Sequence, residues 1–379
     1  MKIEKTFTVY QDPEFYSAFP GVAALGNGRL ALAFRRAPNY AALPGAPQGY
    51  YTHGDAMSQL MICYSDDNGE SWSKPQLLYS SPIGGSQDAS LFYDGKYLFA
   101  NSFVWRYLPN LIGEYNQEAG NEFIHKYFTY LVPYGSYVMR SEDRGQSWSD
   151  AVFPEPLPGN MEVLPGQPRR LHNRGNMLRD RAGNLLLVGQ SLRFRPAFQS
   201  TVSIYKSCDN GESFQFFADA IDCKGVGVFE EPCLYITPGN KYVLMCRCHK
   251  LTDGKSFTRA TCVYAVSYDE GATWSEPVDA GFHAEPMAAH RLPDGRALLI
   301  YGYRLRANGC GVRGRICNAE LTDISDAAEF IIRADNTTED CGYPNIAALG
   351  NNRYLVAYYM KKPEYKSSAA IECSIIDLS

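Results

Sequence analysis

One eight-residue motif, present four times, constrains the fold of this 379-residue chain more than any other feature. The motif reads Ser-x-Asp-x-Gly-x-(Ser/Thr)-(Trp/Phe), and its copies occupy residues 65–72, 141–148, 207–214 and 267–274. These residue types suit a tight hairpin turn, because an Asp carboxylate can cap turn amides, Gly can adopt positive φ and an aromatic ring can pack under the turn. Four copies cannot be due to chance, so the sequence predicts a series of β-hairpins.

A second pattern, two apolar strands joined by a Gly- or Asn-containing turn, occurs six times. Its copies span residues 21–35, 89–105, 176–191, 232–247, 286–304 and 344–361. The turn glycines Gly183, Gly239 and Gly295 follow one another at intervals of 56 residues. Each period holds an inner hairpin and, in four cases, an outer hairpin closed by the first motif. This predicts four-stranded antiparallel blades, and six of them predict an all-β, six-bladed β-propeller.

The chain ends and one long interval complete this prediction. Little sequence follows Lys362, so residues 6–10 are expected to supply the last strand of the sixth blade, beside residues 370–376. Residues 1–379 would then form a single propeller domain. The second repeat is about thirty residues longer than the others, and the excess lies at about 106–134. We expect this insertion to overhang one face of the propeller, with a contact to a partner as the alternative.

Charge and composition argue against several functions. The formal net charge is −5 and no run of five or six basic residues occurs, so nucleic acid is a poor candidate partner. No stretch approaches the roughly 20 apolar residues of a membrane span. The 11 cysteines lack CxxC spacing, and the first ten residues lack the apolar run of a signal peptide. Free thiols and a cytoplasmic location are therefore expected. The six histidines show no zinc spacing, and neither a metal nor a cofactor is predicted.

Charged residues accumulate at the ends of the inner hairpins, which converge on the central channel of a propeller. The second strands end in cations: Arg35, Arg36, Arg106, Arg193, Arg195, Arg247, Arg304, Arg306, Lys361 and Lys362. The first strands begin with acids, bases and a tyrosine: Asp88, His172, Arg174, Glu230, Glu231, His283, Glu285, Asp340 and Tyr343. In a chain of negative net charge, this pattern predicts an anionic ligand held by guanidinium groups. Carboxylates facing such cations are typical of glycosidases, and the alternative is a set of ion pairs that only brace the ring.

The repeated motif is the Asp box, and the chain resembles the sialidase (neuraminidase) superfamily of BNR/Asp-box repeat proteins over nearly its whole length. The resemblance implies an exo-glycoside hydrolase that releases a terminal sialic acid or a related acid. Tyr343 would be the nucleophile, and Glu231 would be its base. Arg36, Arg247 and Arg304 would bind the substrate carboxylate.

The resemblance places the general acid on a loop after the first hairpin. Asp55 lies on this loop, and His53 and Asp88 are alternative candidates for the acid. Further candidate substrate-binding residues are His53, His172, Arg174 and Glu285.

The first blade departs from the sialidase pattern. Sialidases carry an arginine just before Ile-Pro there, whereas residues 16–20 of this chain read Tyr-Ser-Ala-Phe-Pro. One missing charged hydrogen bond is worth about 1.5–3 kcal/mol, so the sugar could be a modified sialic acid, a uronic acid or Kdo. Two other functions remain open. One is a polysaccharide lyase acting on uronic acids, with His172, His283 or Tyr343 as the base, and the other is a carbohydrate-binding propeller without catalysis.

Overall fold

A computed structural model shows six antiparallel β-sheets arranged as a six-bladed β-propeller, which confirms the all-β prediction. The structure describes residues 1–46, 54–118, 125–126, 129–158, 162–172, 174–193, 199–224, 227–252, 256–365 and 368–379. The strands are, in chain order, β1 (Lys2–Tyr10), β2 (Phe15–Gly26), β3 (Arg29–Pro38), β4 (Gln59–Ser65), β5 (Gln76–Tyr79), β6 (Gly85–Ser86), β7 (Ser90–Tyr93), β8 (Leu98–Leu108), β9 (His125–Lys126), β10 (Tyr130–Ser141), β11 (Glu162–Leu164), β12 (Gln167–Pro168), β13 (Met177–Arg179), β14 (Leu185–Arg193), β15 (Gln199–Ser207), β16 (Gln215–Asp222), β17 (Gly227–Ile236), β18 (Tyr242–Thr252), β19 (Ser256–Arg259), β20 (Val263–Ser267), β21 (Val278–Asp279), β22 (Met287–Arg291), β23 (Ala297–Tyr303), β24 (Cys310–Cys317), β25 (Glu329–Asn336), β26 (Gly342–Gly350), β27 (Arg353–Met360) and β28 (Ala370–Asp377).

The strands pair within blades in nearly sequential order. The sheets are β2-β3-β4-β5, β6-β8-β10-β9 with β7 beside β8, β13-β14-β15-β16, β17-β18-β20-β21 with β19 beside β18, β22-β23-β24-β25, and β26-β27-β28-β1. A separate small pair is formed by β11 and β12. The helical segments are α1 (Asn110–Glu118) and single 3-10 turns at Tyr40–Ala42, Arg306–Asn308 and Pro363–Tyr365. Among the described residues, no helix is long and apolar enough to cross a membrane.

Blade 6 joins the two ends of the chain. β1 pairs antiparallel with β28, from Lys2 opposite Asp377 to Tyr10 opposite Ile371. β1 is therefore the outermost strand of the blade whose inner strands are β26 and β27. The prediction that residues 6–10 complete the last blade is confirmed. This pairing covers the edge of β28, which would otherwise expose unpaired backbone groups.

The four Asp boxes follow the third strands of blades 1 to 4 and form the expected hairpin turns. In the first box, Ser65 Oγ donates to Asp67 Oδ1 and accepts the Gly69 N–H, both at 2.8 Å. Asp67 Oδ1 also accepts the Ser71 N–H at 2.9 Å, and Trp72 Nε1 donates to the Gly69 carbonyl at 3.2 Å. The hydrogen bonds from Ser71 lower the pKa of Asp67 to about 2. The carboxylate is thus ionised when it caps the turn.

Apolar side chains pack between neighbouring blades. The cluster between blades 1 and 6 includes Phe34, Leu355 and Tyr359, which are fully buried. Near the axis the first strands approach so closely that a Cβ on Gly21 would lie 2.9 Å from the Ala89 carbonyl oxygen of the next blade. Because of this close packing, the starts of the six first strands lie side by side around the axis.

The described part of the insertion in blade 2 extends β8 to Leu108, continues through α1 and returns at Tyr130. The Tyr107 hydroxyl lies against Gly54, 3.4 Å from where a Cβ on that glycine would be. Gly54 is the residue before Asp55, the candidate acid. The insertion therefore reaches the loop of blade 1 that carries Asp55, and its role as a cover over the site stays a prediction.

The cysteines contribute to the cores as free thiols. All eleven are unpaired, and ten of them are buried. Cys63 and Cys373 both lie in the cluster between blades 1 and 6. Burial raises the pKa of the Cys63 thiol to about 12, so this side chain is protonated at neutral pH and behaves as a small apolar group.

Candidate active site

Three residues at the starts of first strands have a backbone conformation that is rare for residues other than glycine. They are Phe19 (φ 57°), Glu231 (φ 51°) and Tyr343 (φ 52°), and each precedes a proline. Each also lies within a register shift of its antiparallel pair. A β-bulge re-aims the side chain that it carries, and strained φ values cluster at functional sites. The three bulges turn these side chains toward the axis.

Each blade contributes one buried residue to this central position. The six residues are Phe19, Asp88, Arg174, Glu231, Glu285 and Tyr343. The sequence analysis named all of them except Phe19. The structure brings them together because the first strands pack side by side around the axis.

Tyr343 forms a hydrogen-bonded chain with Glu231 and Arg247. The Tyr343 hydroxyl donates to Glu231 Oε1, and Arg247 Nη1 donates to Glu231 Oε2 at 3.1 Å. Burial, followed by the charge on Glu231, raises the pKa of Tyr343 well above its usual value. Burial acts to lower the pKa of Arg247, but the carboxylates of Glu231 and Glu230 outweigh it and raise this pKa. A protonated tyrosine therefore faces a carboxylate that is held by a charged arginine.

Two further arginines lie over the Tyr343 ring. The guanidinium carbon of Arg174 is 5.3 Å from the ring centroid, and that of Arg304 is 5.0 Å away. Arg174 donates to the carbonyls of Tyr343 (3.3 Å), Pro344 (3.2 Å) and Pro20 (3.3 Å). Arg304 donates twice to a carbonyl two residues before Tyr343, at 3.0 and 2.7 Å. These bonds hold the strained backbone of blades 1 and 6 in place.

Glu285 pairs with two arginines of blade 4. It is 1% exposed; its Oε2 lies 3.4 Å from Arg247 Nη2, and its Oε1 contacts Arg259 Nε. Arg259 Nη1 also donates to Glu339 Oε2 at 3.0 Å. Sequence reasoning missed Arg259 because it lies on β19, an additional strand outside the repeat.

Two buried carboxyl groups at the site have raised pKa values. Burial, and then the charge on Glu231, raises the pKa of Asp88 to about 7 despite the nearby arginines. Burial also raises the pKa of Asp55, although the Met57 N–H donates to its Oδ1 at 2.7 Å. Both groups are thus more readily protonated than an ordinary aspartate.

The structure turns Arg35, rather than Arg36, toward these carboxyl groups. Successive side chains of a strand point to opposite faces, so the two neighbours on β3 cannot both face the axis. Arg35 is fully buried, donates from Nε to Ser58 Oγ at 3.0 Å and attracts both acids electrostatically. The Arg36 guanidinium lies 4.3 Å from the Phe15 ring and 3.4 Å from Gln59 Oε1. The structure therefore does not bring Arg36 into the site.

Histidines lie beside the site in blades 3 and 4. His53 falls outside the described residues, and His172 is buried, within electrostatic range of Glu230. His249 Nδ1 is 3.3 Å from Glu230 Oε1, and its Nε2 is 3.3 Å from Arg247 Nη2. Burial opposes ionisation of Glu230, but the bond with His249 and the nearby cations lower its pKa to about 2. The position of His249, two residues after Arg247 on one strand face, was the signal that sequence reasoning overlooked.

A polar cluster lies where blade 6 meets blade 1, beside residues 16–20, where the sialidase pattern has an arginine. The Tyr16 hydroxyl donates to Asp340 Oδ2, and the Tyr359 hydroxyl donates to Oδ1 at 2.6 Å. Lys361 Nζ is 3.5 Å from Asp340, and Arg304 Nη2 donates to the Tyr359 hydroxyl at 3.1 Å. Tyrosines and a lysine thus stand at this junction, and no arginine comes from residues 16–20.

A cavity of about 660 Å³ follows the axis between the first strands. Arg174 and Glu231 line one end, and Asp94, Arg179 and Arg291 line the other. The cavity therefore begins at Glu231 and extends along the axis toward the turns of the inner hairpins. Among the described residues, no group of three or more His, Cys, Asp or Glu side chains is placed to hold a metal ion.

Fold and repeats together define a sialidase-like, BNR-repeat β-propeller. The family model described as BNR/Asp-box repeat matches residues 64–74. Hadza microbial sialidase Hz136 is 16% identical, with a TM-score of 0.64 over 96% of this chain and 66% of that one. Trypanosoma rangeli sialidase in complex with the inhibitor DANA is 14% identical, with a TM-score of 0.61 over 96% of this chain and 55% of that one. At these identities the similarity shows the fold alone.

A protein of unknown function from Dyadobacter fermentans is similar at the level of sequence as well as fold. It is 32% identical, with a TM-score of 0.87 over 100% of this chain and 99% of that one. The chain belongs to the family of that protein. No curated protein matches the chain significantly. Any activity must therefore be argued from the geometry of the site.

Proposed function

We propose that the protein is an exo-glycoside hydrolase that releases a terminal anionic sugar from a glycoconjugate or oligosaccharide. One observation carries this proposal: the buried chain of hydrogen bonds from Tyr343 through Glu231 to Arg247. A nucleophile bonded to a base, which is in turn oriented by a third group, is the arrangement expected for covalent catalysis. Strained backbone at Glu231 and Tyr343 supports a functional role, because such strain persists where geometry matters for function.

In the proposed reaction, Tyr343 Oη attacks the anomeric carbon of the terminal sugar. Its proton passes to Glu231 Oε1, to which it is already hydrogen-bonded. The bond between the anomeric carbon and the leaving oxygen breaks, and the oxygen takes a proton from a carboxylic acid. The carboxylate left on the donor then takes a proton from water, whose oxygen attacks the anomeric carbon. The bond to Tyr343 Oη breaks, and this oxygen recovers its proton from Glu231, with retention of configuration at the sugar. A neutral tyrosine avoids the repulsion that a carboxylate nucleophile would meet at an anionic sugar.

Asp55 is our candidate for the proton donor. A general acid works best when its pKa lies near the working pH, and burial raises the pKa of Asp55. Gly54, the residue before Asp55, lies against Tyr107 of the insertion. Asp88 has a pKa of about 7 and is the alternative donor.

The charge of the site supports an acidic sugar. Arg35, Arg174, Arg247 and Arg304 lie around Tyr343 and the two candidate acids. Guanidinium groups bind carboxylates with two parallel hydrogen bonds, which gives both affinity and orientation. The solved sialidases with this fold act on sialic acid by their names, and the same class of sugar is proposed here.

The test is sugar release from a panel of aryl glycosides of sialic acid, its close analogues, Kdo and uronic acids. We expect release by the wild type and loss of at least about 100-fold in Tyr343→Phe, because the nucleophilic oxygen is removed. Tyr301→Phe is the matched control. Tyr301 is also fully buried and donates to a glutamate, Glu329 Oε2, at 2.7 Å, but this glutamate lies on β25, the outermost strand of blade 5.

The outcomes distinguish the three candidate functions. No release of any sugar by the wild type would contradict the hydrolase proposal. A product with ultraviolet absorbance from uronate polymers would assign a lyase, with His172 or Tyr343 as base. Ligand binding that Tyr343→Phe leaves intact, without turnover, would assign a carbohydrate-binding propeller. Equal losses in Tyr343→Phe and Tyr301→Phe would show that only stability had changed.

A further inference from the structure

We propose that Arg259 joins Arg247 and Arg304 in binding the substrate carboxylate, in place of the arginine that residues 16–20 of blade 1 lack. The inference rests on the proposed function, since it concerns how the same site holds an acidic sugar. It differs from the sialidase pattern, in which that arginine comes from the first strand of blade 1. Here it would come from β19, the additional strand of blade 4.

The register of blade 4 places Arg259 on the same sheet face as Arg247. His249 is paired with Arg259 across β18 and β19, and Glu230 is paired with Arg247 across β17 and β18. Cross-strand partners point to the same face of a sheet, and residues two apart on a strand do so as well. His249 follows Arg247 by two positions. All four side chains therefore stand on one face, at the end of the blade where Glu231 enters the site.

Contacts join Arg259 to the other two arginines. Arg259 Nε contacts one oxygen of Glu285, and Arg247 Nη2 lies 3.4 Å from the other. Arg259 Nη1 also donates to the backbone carbonyl of Arg304 at 3.1 Å. The buried carboxylate of Glu285 thus holds the guanidinium groups of Arg247 and Arg259 at a defined separation. Arg304 lies at the end of the neighbouring strand. A fixed distance between these guanidinium groups favours an anion that binds several arginines at the same time.

One guanidinium group of this cluster is accessible to a ligand. Three guanidinium groups, those of Arg247, Arg259 and Arg304, lie near the carboxylates of Glu230, Glu231, Glu285 and Glu339. Arg259 is also the most accessible of the three, with 22% of its side chain exposed. A ligand carboxylate can therefore reach Arg259, whose charge is shared between Glu285 and the exposed Glu339.

Glu339 covers Arg259 from the solvent side. It accepts from Arg259 Nη1 at 3.0 Å and from Arg306 Nε at 2.9 Å, and its side chain is 41% exposed. The bond from Arg259 lowers the pKa of Glu339, so this carboxylate is charged at neutral pH. A ligand carboxylate would compete with Glu339 for the Arg259 guanidinium. Removal of Arg259 and removal of Glu339 should therefore change anion affinity in opposite directions.

The experiment is calorimetric titration of the full-length protein with free sialic acid, Kdo, glucuronic acid and DANA, and with their neutral methyl esters. We expect Arg259→Gln to weaken binding of the acid by about 10- to 100-fold, as for the loss of a charged hydrogen bond. Binding of the ester should change much less, because the ester carries no charge. Arg259→Lys should bind the acid with intermediate affinity, because lysine keeps the positive charge but cannot donate two parallel hydrogen bonds to a carboxylate. Glu339→Gln should bind the acid more tightly than the wild type does.

The outcomes separate this inference from the proposed function. Suppose that the wild type binds an acid and that Arg259→Gln leaves the affinities for the acid and its ester unchanged, or reduces both equally. Arg259 then has no role in anion recognition, while the hydrolase proposal stands. If the wild type binds none of the acids, the anionic-sugar proposal fails, and the role of Arg259 fails with it. If Arg259→Gln does not fold, Glu339→Gln decides: acid affinity that is unchanged or weaker than that of the wild type overturns the inference.

Discussion

Replacement of Asp88 by asparagine should change how the stability of the protein depends on pH. Asp88 is buried at the axis, and burial together with the charge on Glu231 raises its pKa from the ordinary value of 3.8 to about 7. Well below pH 4, the carboxyl group is protonated in both the folded and the unfolded chain. Between pH 4 and 7 the unfolded chain releases this proton and the folded protein retains it. Unfolding therefore becomes more favourable as the pH rises through this window.

The size of the effect follows from the shift in pKa. One pKa unit corresponds to about 1.4 kcal/mol, so a shift from 3.8 to about 7 amounts to about 4 kcal/mol in total. Roughly 3 kcal/mol of this should be lost between pH 5 and pH 8. Asp88→Asn has a neutral side chain throughout this range. Its free energy of unfolding, compared with that of the wild type, should therefore increase by up to about 3 kcal/mol from pH 5 to pH 8.

The assay is denaturant unfolding of both proteins at several pH values, because their difference cancels the other titrating groups. Asp180→Asn is the control. Burial opposes ionisation of Asp180, but hydrogen bonds from Asn184 and the charge of Lys206 lower its pKa. Asp180 is thus ionised in both the folded and the unfolded state above pH 5. The difference in unfolding free energy between Asp180→Asn and the wild type should therefore stay constant from pH 5 to pH 8. A constant difference for Asp88→Asn as well would refute the argument from burial and charge.

Two further predictions concern the proton donor and the repeated turn. Asp55→Asn should slow the cleavage of two kinds of substrate to different extents. The loss of rate should be at least about 10-fold larger when the leaving group is a sugar than when it is a nitrophenol, because only the sugar, the poorer leaving group, needs protonation. Kinetics with both leaving groups measure this, and a selective loss in Asp88→Asn instead would reassign the acid. Ser65→Ala removes the buried acceptor of the Gly69 N–H and should cost about 1–3 kcal/mol in unfolding free energy. Unchanged denaturant stability would contradict the role assigned to this turn.

Much of the fold was predictable because it depends on local sequence that repeats. Each Asp box closes its turn through side chains within eight residues, so it can be recognised without any knowledge of the rest of the chain. The apolar hairpins recur six times, the last four at a nearly constant interval, and this predicts the number of blades. The closing strand followed from the shortage of sequence after Lys362, and the pairing of β1 with β28 confirmed it.

Part of the candidate site was predictable for the same reason. Tyr343 and Glu231 occupy corresponding places in their repeats, each before a proline, and Arg247 ends the hairpin that begins beside Glu231. Their register could therefore be inferred from the repeat. The choice between Arg35 and Arg36 could not be made, because it depends on which face of β3 points to the axis. His53 lies outside the described residues, so its assignment as an acid or ligand stays a prediction.

The sequence by itself determined the blades, their turns and the position in each blade from which a side chain can reach the axis. These features depend on periods and motifs that are local in the chain. Only the tertiary structure decided which charges meet there. Arg259 reaches the site from a strand outside the repeat, beside Glu285 of the next blade. The raised pKa of Asp88 likewise depends on burial and on Glu231, two blades away around the ring. Distances between blades are set by packing, and no pattern within a single repeat records them.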